Sequence, residues 1–208
     1  MGLFGKLFDK KTCDICGGEI GLLGNKKLED GNCCKECAGK LSPWFNERRH
    51  STVADIKAQI DYREENRNTV AKFHTTRSFG EDMNVLLDED QQLFMVTRAR
   101  NLTEANPDVL SFSQVTGCDL DISENRTEEM REIRDKDGNT KRVSYNPPHY
   151  VYRYDFYIII RVNHPYFDEM KFKLNRSSVE VEVTGRTTAG VVPGKRNIDY
   201  QDYERMGK

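Results

Sequence analysis

The sequence predicts an α+β protein, built mainly of antiparallel strands, with a zinc ribbon near its N-terminal end. Five of the six cysteines lie between positions 13 and 37, and a helical pattern follows them. From about residue 80 onward, apolar and polar residues alternate in successive segments. Alternation with a period of two is typical of strands that bury one face and leave the other in water.

The cysteines form two C-x-x-C pairs, Cys13 with Cys16 and Cys34 with Cys37, separated by seventeen residues. This spacing is typical of a four-thiolate zinc site, because two intervening residues let a tight turn aim both sulfurs at one ion. We therefore expect one structural Zn²⁺ on these four cysteines, with every position of the ion filled. Iron in a rubredoxin-like site and a redox dithiol are the alternatives.

Two further cysteines need an interpretation. Cys33 stands beside Cys34, and we choose Cys34 as the ligand because it restores the C-x-x-C spacing. Cys118 lies in an alternating segment that includes Leu120 and Ile122, which predicts a strand with the thiol facing the core.

The chain is divided into four predicted segments. Residues 1–11 are a mobile amphipathic terminus, 12–50 the zinc ribbon, 51–75 a linking helix and 80–208 an antiparallel β domain. The helix is expected to begin at a cap provided by Ser51 or Thr52. The only tryptophan, Trp44, is expected to seal the small core of the ribbon with Phe45.

The N-terminal segment carries four apolar side chains on one helical face, with lysines nearby. Such a face is a candidate contact for a membrane or a partner. A mobile terminus whose phenylalanines pack on the ribbon is the interpretation we favour, because chain termini are usually loosely held. The four residues are Leu3, Phe4, Leu7 and Phe8.

The clearest strand runs from residue 149 to 162. Its even-numbered residues from Tyr150 to Val162 are aromatic or aliphatic, which predicts that they face the core of the β domain. Six or seven strands with a short C-terminal helix from Ile198 predict a small barrel or a bent sandwich. The resulting fold is a zinc ribbon, a linking helix, and a small β barrel or sandwich with a short C-terminal helix.

Two resemblances accompany this pattern. The run Cys13-Asp-Ile-Cys-Gly-Gly-Glu-Ile-Gly and the later Cys34-x-x-Cys37-Ala and Lys40-Leu-Ser resemble an uncharacterised bacterial family, a domain of unknown function with an N-terminal four-cysteine zinc ribbon. That resemblance implies zinc on the four cysteines and carries no activity. The strand region also resembles a bacterial pleckstrin-homology-type barrel in its opening hairpin and closing helix.

Charge and motifs argue against several functions. Lys and Arg total 32 against 34 Asp and Glu, and residues 1–50 hold nine basic and seven acidic side chains. Four thiolates with one Zn²⁺ add −2, which cancels that surplus and makes nucleic-acid binding unlikely on electrostatic grounds. The four histidines are scattered, and phosphate-loop, dinucleotide and nucleophile-elbow motifs are missing, so no enzyme is predicted.

These observations predict a non-catalytic, zinc-stabilised adaptor whose β domain contacts an unknown protein partner. The alternatives are a membrane-surface protein that uses residues 1–10 with a lipid-binding β domain, and a thiol redox or iron protein. The chain has no apolar run of about 18 residues and no secretory signal pattern, so we expect a cytoplasmic location, with the membrane surface as a secondary one.

Overall fold

The computed structural model describes residues 11–21 and 23–208 and divides them into two compact units. The first contains the described residues through Arg77, with Leu86–Gln114 and Val162–Glu169. The second contains Ser78–Val85, Val115–Arg161 and Met170–Lys208. The four predicted segment boundaries stay a prediction. Leu3, Phe4, Leu7 and Phe8, which we singled out in the sequence, lie outside the described residues.

The cysteine-rich region consists of two short hairpins and one helical turn. In each hairpin two strands pair antiparallel, with Lys11 opposite Ile20 in the first and Lys26 opposite Cys33 in the second. The elements are β1 (Lys11–Thr12), β2 (Glu19–Ile20), β3 (Lys26–Lys27), β4 (Asn32–Cys33) and α1 (Lys35–Gly39). Two-residue strands bury little surface on their own, so this region depends on what its turns hold together.

Helix α2, Val53–Lys72, forms where the sequence predicts it. Thr52 caps its first turn: the Thr52 hydroxyl accepts from Asp55 N–H, and the Asp55 carboxylate accepts in return from Thr52 N–H. This reciprocal capping box satisfies two backbone donors that a helix start leaves without partners. The buried face is partly polar, since Gln59, Arg63 and Asn66 lie on it together with Ile56 and Val70.

A four-stranded sheet in the order β5-β6-β7-β8 follows the helix. Its strands are β5 (Arg77–Phe79), β6 (Asn84–Asp88), β7 (Leu93–Thr97) and β8 (Val109–Ser111), and the short helix α3 (Leu102–Ala105) precedes β8. Strands β6 and β7 are hydrogen-bonded neighbours joined by residues 89–92, so they form a hairpin. In the first unit, Val70 of α2 packs with Met95 and Val109 in a small apolar cluster.

The second sheet is built around one long strand. Strand β10 has β9 as one partner and pairs also with β11 and with β12, the last in antiparallel register with Tyr154 opposite Val179. Its elements are β9 (Val115–Arg134), β10 (Thr140–Val162), β11 (Glu169–Lys173) and β12 (Val179–Thr184), with the C-terminal helix α4 (Ile198–Met206). Asp137 and Gly138 lie in the turn between β9 and β10, where Gly138 has a φ of +84°.

The core of the second unit is aromatic. Tyr152, Tyr154 and Phe156 are buried on β10, which confirms that the even-numbered side chains face the core. Tyr200 of α4 meets the rings of Tyr154 and Phe156 edge-on, at centroid distances of 4.9 and 5.0 Å. Gly194 passes close to this cluster, because a Cβ at that position would collide with the rings of Tyr200 and Tyr154.

Of the two alternatives predicted for the β domain, a barrel and a bent sandwich, the closed barrel is wrong, because the described strands form separate sheets. The prediction for Cys118 is also wrong. Cys118 is exposed instead of facing the core, because β9 is thinly covered and only Gly117, Leu120 and Ile122 along it are even half-buried. None of the helices in the described part of the chain combines the length and apolar character needed to cross a bilayer.

Candidate metal centre

The first cysteine pair lies on a tight turn that directly follows β1. Cys13 N–H donates to the carbonyl of Gly18 over 2.8 Å, and Gly17 N–H donates to the carbonyl of Cys13 over 2.7 Å. Gly17 has a φ of +74°, a conformation that favours glycine because it has no Cβ. The turn leaves the Cys13 side chain buried and the Cys16 side chain exposed.

The second pair lies at the start of α1. Cys34 is the N-cap residue of this helix, and its sulfur accepts from Cys37 N–H over 3.3 Å. Cys34 N–H in turn donates to the sulfur of Cys13 over 3.2 Å. Backbone donors therefore stabilise negative charge on two of the sulfurs, and one of these bonds joins the two cysteine pairs.

The four sulfurs of Cys13, Cys16, Cys34 and Cys37 converge, with all of them within 4.8 Å of one another. A tetrahedral ion with zinc–sulfur bonds of about 2.3 Å places its ligands roughly 3.8 Å apart. The sulfurs of Cys16 and Cys34 are 3.9 Å apart, which matches that spacing. The donor set and its geometry therefore fit one tetrahedral metal ion of the kind that binds thiolates.

Cys33 does not join this group. It is fully buried in the apolar core of the ribbon, and its thiol donates to the carbonyl of Cys34 over 3.4 Å. Burial, followed by the negative charge of Cys13 and Cys34, raises the pKa of the Cys33 thiol to about 11. The structure therefore places Cys34, and not Cys33, with Cys37 in the group of converging sulfurs.

The four sulfurs are unequal when no cation is present. Burial opposes charge on Cys13, but donation from the backbone N–H groups of Cys16, Cys34 and Ile15 outweighs it and lowers the pKa of the Cys13 thiol to about 6. Burial, with hydrogen bonds from the neighbouring thiols, raises the pKa of Cys37. The Cys13 and Cys37 thiols thus differ in acidity, and a cation bound between them would stabilise both as thiolates.

The remaining candidate ligands do not converge. Throughout residues 11–21 and 23–208, the four cysteines are the one group of three or more Cys, His, Asp or Glu side chains that could hold a metal ion. Asp119 and Asp121 are exposed and form ion pairs with Arg161 and Lys171. They belong to the solvated face of β9, as the alternation predicts.

A buried polar network adjoins the ribbon and was missed by the sequence analysis. Arg63 of α2 forms an ion pair with Asp108 at 2.7 Å, and Asp108 also accepts from the hydroxyl of Ser42 at 2.8 Å. The Arg63 guanidinium also donates to the carbonyl of Lys40 over 3.4 Å. The segment that follows the second cysteine pair is thus joined to α2, but the partners are too far apart in sequence for any local pattern to indicate them.

Phe45 packs against the ribbon core as predicted, while its neighbour Trp44 is half-buried at the edge of a cleft. The ribbon core itself is small. Its buried members are Cys13, Ile20, Leu28, Cys33, Cys37, Leu41 and Ile56.

Comparison with known proteins gives one match. Residues 12–59 match the model of a domain of unknown function, DUF4428. The match covers both cysteine pairs and the first turns of α2, and it agrees with the resemblance to a family of unknown function noted from the sequence. Neither a search of curated proteins nor a search of solved structures gave a match.

Proposed function

We propose that the chain is a non-catalytic interaction module whose N-terminal region is held in shape by one structural Zn²⁺. The observation that carries this proposal is the convergence of the four sulfurs of Cys13, Cys16, Cys34 and Cys37. When protein thiolates fill all four tetrahedral positions, no position is left for water or substrate. A site of that kind stabilises a fold and does not perform chemistry on a ligand.

The size of the ribbon core supports a structural role for the metal. Three of its seven buried members are cysteines, and two of those, Cys13 and Cys37, belong to the sulfur cluster. Short hairpins with so little apolar surface do not offset the entropy of ordering the chain. Binding of the ion supplies the missing free energy, since the site forms only when the chain is folded.

Four thiolates can bind either zinc or iron. We prefer zinc because a closed site of four cysteines is a common form of structural zinc site. We propose a cytoplasmic location, where thiols stay reduced. All six cysteines are free of disulfides in the structure, which agrees with this assignment.

The proposal that the module acts by contact, and not by catalysis, is supported by the arrangement of the other polar groups. Beyond the sulfur cluster, the described residues bring together no second set of candidate ligands. Tyr152 and Tyr154 of β10 belong to the core and are not available to a partner, since both are buried. We therefore look for the partner surface elsewhere in the molecule.

Elemental analysis of the purified protein tests the metal. We expect one zinc per chain, and we expect Cys16→Ser to lose it while Cys118→Ser keeps it. Both thiols are exposed, so the two substitutions are matched in chemistry and in burial and differ only in membership of the cluster. Iron with a reversible redox change, or equal metal content in the two variants, would contradict the proposal.

A further inference from the structure

An aromatic cleft lies in the first unit, on the same unit as the sulfur cluster. It encloses about 470 Å³, within the usual range of about 300–1,000 Å³ for ligand sites. One wall is formed by Trp44 and Phe45, and the other by His164, Tyr166 and Phe167. Five ring-bearing side chains around one opening form a surface suited to a flat or cationic group.

The first wall is held in place by the segment that follows the ribbon. Trp44 N–H donates to the hydroxyl of Ser42 over 3.1 Å, and Phe45 N–H donates to the carbonyl of Ser42 over 3.2 Å. Ser42 is buried and bonded to Asp108, which pairs with Arg63. The position of the tryptophan is therefore fixed through buried polar contacts that adjoin the ribbon.

The second wall is fixed against α2. Tyr166 N–H donates to Nδ1 of His164 over 3.3 Å, so the ring proton is on Nε2, which donates to the hydroxyl of Tyr62 over 2.9 Å. Phe167 is buried and stacks on the His164 ring at a centroid distance of 4.1 Å. Burial lowers the pKa of His164, against the opposing charge of Asp108, so this wall is neutral near pH 7.

The rim of the cleft is acidic. Glu47, Asp55 and Asp168 line it, all three side chains are exposed, and no lysine or arginine is among the lining residues. Within the described part of the chain, none of the three carboxylates forms an ion pair with a basic side chain. Asp61 and Glu65 on α2 add to this field, and with Asp55 they raise the pKa of Tyr166 after the larger effect of burial.

We propose that this cleft is a docking site for an arginine-bearing segment of a partner protein. The proposal rests on the interaction role proposed above and names the surface and the chemistry of the partner. An arginine guanidinium stacks on aromatic faces and presents a planar fork of N–H donors to carboxylates, so it matches both the walls and the rim. Because both walls are fixed before binding, little ordering of the protein opposes the contact.

Arginine is favoured over lysine by the shape of the site. A lysine ammonium is strongly hydrated and approaches a carboxylate as a point charge, whereas a guanidinium is weakly hydrated and flat. Aromatic rings can stack on the faces of a guanidinium, and carboxylates can accept hydrogen bonds from the N–H groups at its edge. A fully apolar peptide is a poorer match than arginine, because it would bring apolar surface against the charges of Glu47 and Asp168 without offering them a countercharge.

Fluorescence provides a direct test, since Trp44 is the only tryptophan of the chain. The full-length zinc-loaded protein is titrated with the peptide acetyl-Gly-Leu-Arg-Leu-Arg-Gly-amide and with matched peptides carrying citrulline or lysine in place of arginine. Citrulline keeps the size and planarity of arginine without its charge. We expect a saturable change in Trp44 emission with the arginine peptide and weaker binding with the lysine peptide. The citrulline peptide should bind with an affinity at least about tenfold lower than that of the arginine peptide.

Charge removal in the protein gives the second arm of the test. The variant Glu47→Gln/Asp168→Asn removes two rim charges, and Asp90→Asn/Glu128→Gln removes two exposed carboxylates that do not line the cleft. We expect the first variant to weaken binding of the arginine peptide several-fold and to reduce its salt dependence, while the second stays within about twofold of the parent. Equal affinities for the arginine and citrulline peptides, or equal effects of the two variants, would overturn the proposal.

A competing occupant is tested by deleting residues 2–10, which contain Lys6 and Lys10 among apolar residues. Unchanged affinity for the peptide supports a partner segment, whereas a large gain would assign the cleft to the chain's own terminus and overturn the proposal. Zinc content is measured on each sample. Peptide binding by a protein that holds no zinc would overturn the structural-zinc proposal and leave the cleft proposal standing. A protein that holds zinc and does not bind the peptide would overturn the cleft proposal and leave the zinc proposal standing.

Discussion

The ribbon and the aromatic core around β10 differ in the groups that they bury to stabilise the folded chain. The ribbon buries four aliphatic side chains and three thiols beside two-residue strands, whereas the core of the second unit buries Tyr154, Phe156 and Tyr200 along a strand of 23 residues. Large rings remove much apolar surface from water, and thiols remove little. The proposed metal would supply in the ribbon the stabilisation that buried apolar area supplies in the second unit.

Metal removal should separate the two regions most strongly. In a strong chelator we expect the ribbon amides, such as those of Cys13 and Gly17, to lose all protection from hydrogen exchange, because structural zinc contributes about 10 kcal/mol or more to such folds. The amides of β10 should stay protected, since that strand has its own core. Hydrogen exchange read residue by residue makes the comparison. Equal loss in both regions would show that the second core is not independently stable.

Creating a cavity in the aromatic core should destabilise the second unit and leave zinc binding by the ribbon unchanged. Phe156 is fully buried, so Phe156→Ala is expected to destabilise the protein by about 3–5 kcal/mol through lost contacts and an unfilled space. Zinc content should not change. Thermal or denaturant unfolding together with elemental analysis measures both quantities, and loss of zinc from this variant would break the distinction between the two regions.

These two regions also differ in how much of them the sequence predicts. The C-x-x-C spacing and the alternation along residues 149–162 are local patterns, so the cysteine cluster and the buried face of β10 follow from them directly. Cys118 shows the limit of the same argument. Alternation assigns it to a face, but whether that face is covered depends on elements far away in the sequence, and little covers β9.

The buried polar contacts lay beyond prediction for a related reason. Arg63 and Asp108 are 45 residues apart, and each looks like an ordinary surface charge in its own segment. His164 and Tyr62 are 102 residues apart and form one wall of the cleft only after folding. Whether the β domain closes also depends on strand pairing between distant parts of the sequence. The strand count allowed a barrel or a bent sandwich, and a closed barrel does not form among the described strands.

Within the first unit, the buried ion pair of Arg63 with Asp108 can be compared with an exposed one. Arg63→Leu should destabilise the protein by about 3 kcal/mol, because it leaves the buried Asp108 carboxylate without its countercharge. Arg67→Leu is the control, since the Arg67–Glu64 pair is exposed and should contribute less than about 1 kcal/mol. Denaturant unfolding measures both, and similar values for the two variants would show that burial does not govern this pair.

The smallest expected effect concerns pH. Burial lowers the pKa of His164 from its ordinary value of 6.5, with Asp108 opposing, so the folded state holds the neutral ring while the unfolded chain binds a proton more readily. The contribution of His164 to stability is therefore present at neutral pH and declines as the pH falls below about 6.5. Tyr62 and Tyr166 are the ring neighbours that would face the charge.

His164→Gln, which titrates nowhere in this range, should show a shallower decline of unfolding free energy between neutral and mildly acidic pH. The difference between parent and variant isolates His164 from the carboxylates and from zinc release, because both proteins carry those groups. Denaturant unfolding at a series of pH values measures it. If the unfolding free energy of parent and variant declined with the same slope, the pKa of His164 would not differ between the folded and unfolded states.

The outer side of β9 has a consequence for the protein in crowded solution. Among the described strands, β9 pairs only with β10, so one edge of a 20-residue strand offers free backbone groups to any other chain. Its distal half is exposed and carries both signs of charge: Glu124, Arg126, Glu128, Glu129, Arg131, Glu132 and Arg134. An incoming strand would have to desolvate these charges, and so the edge resists aggregation although it is long.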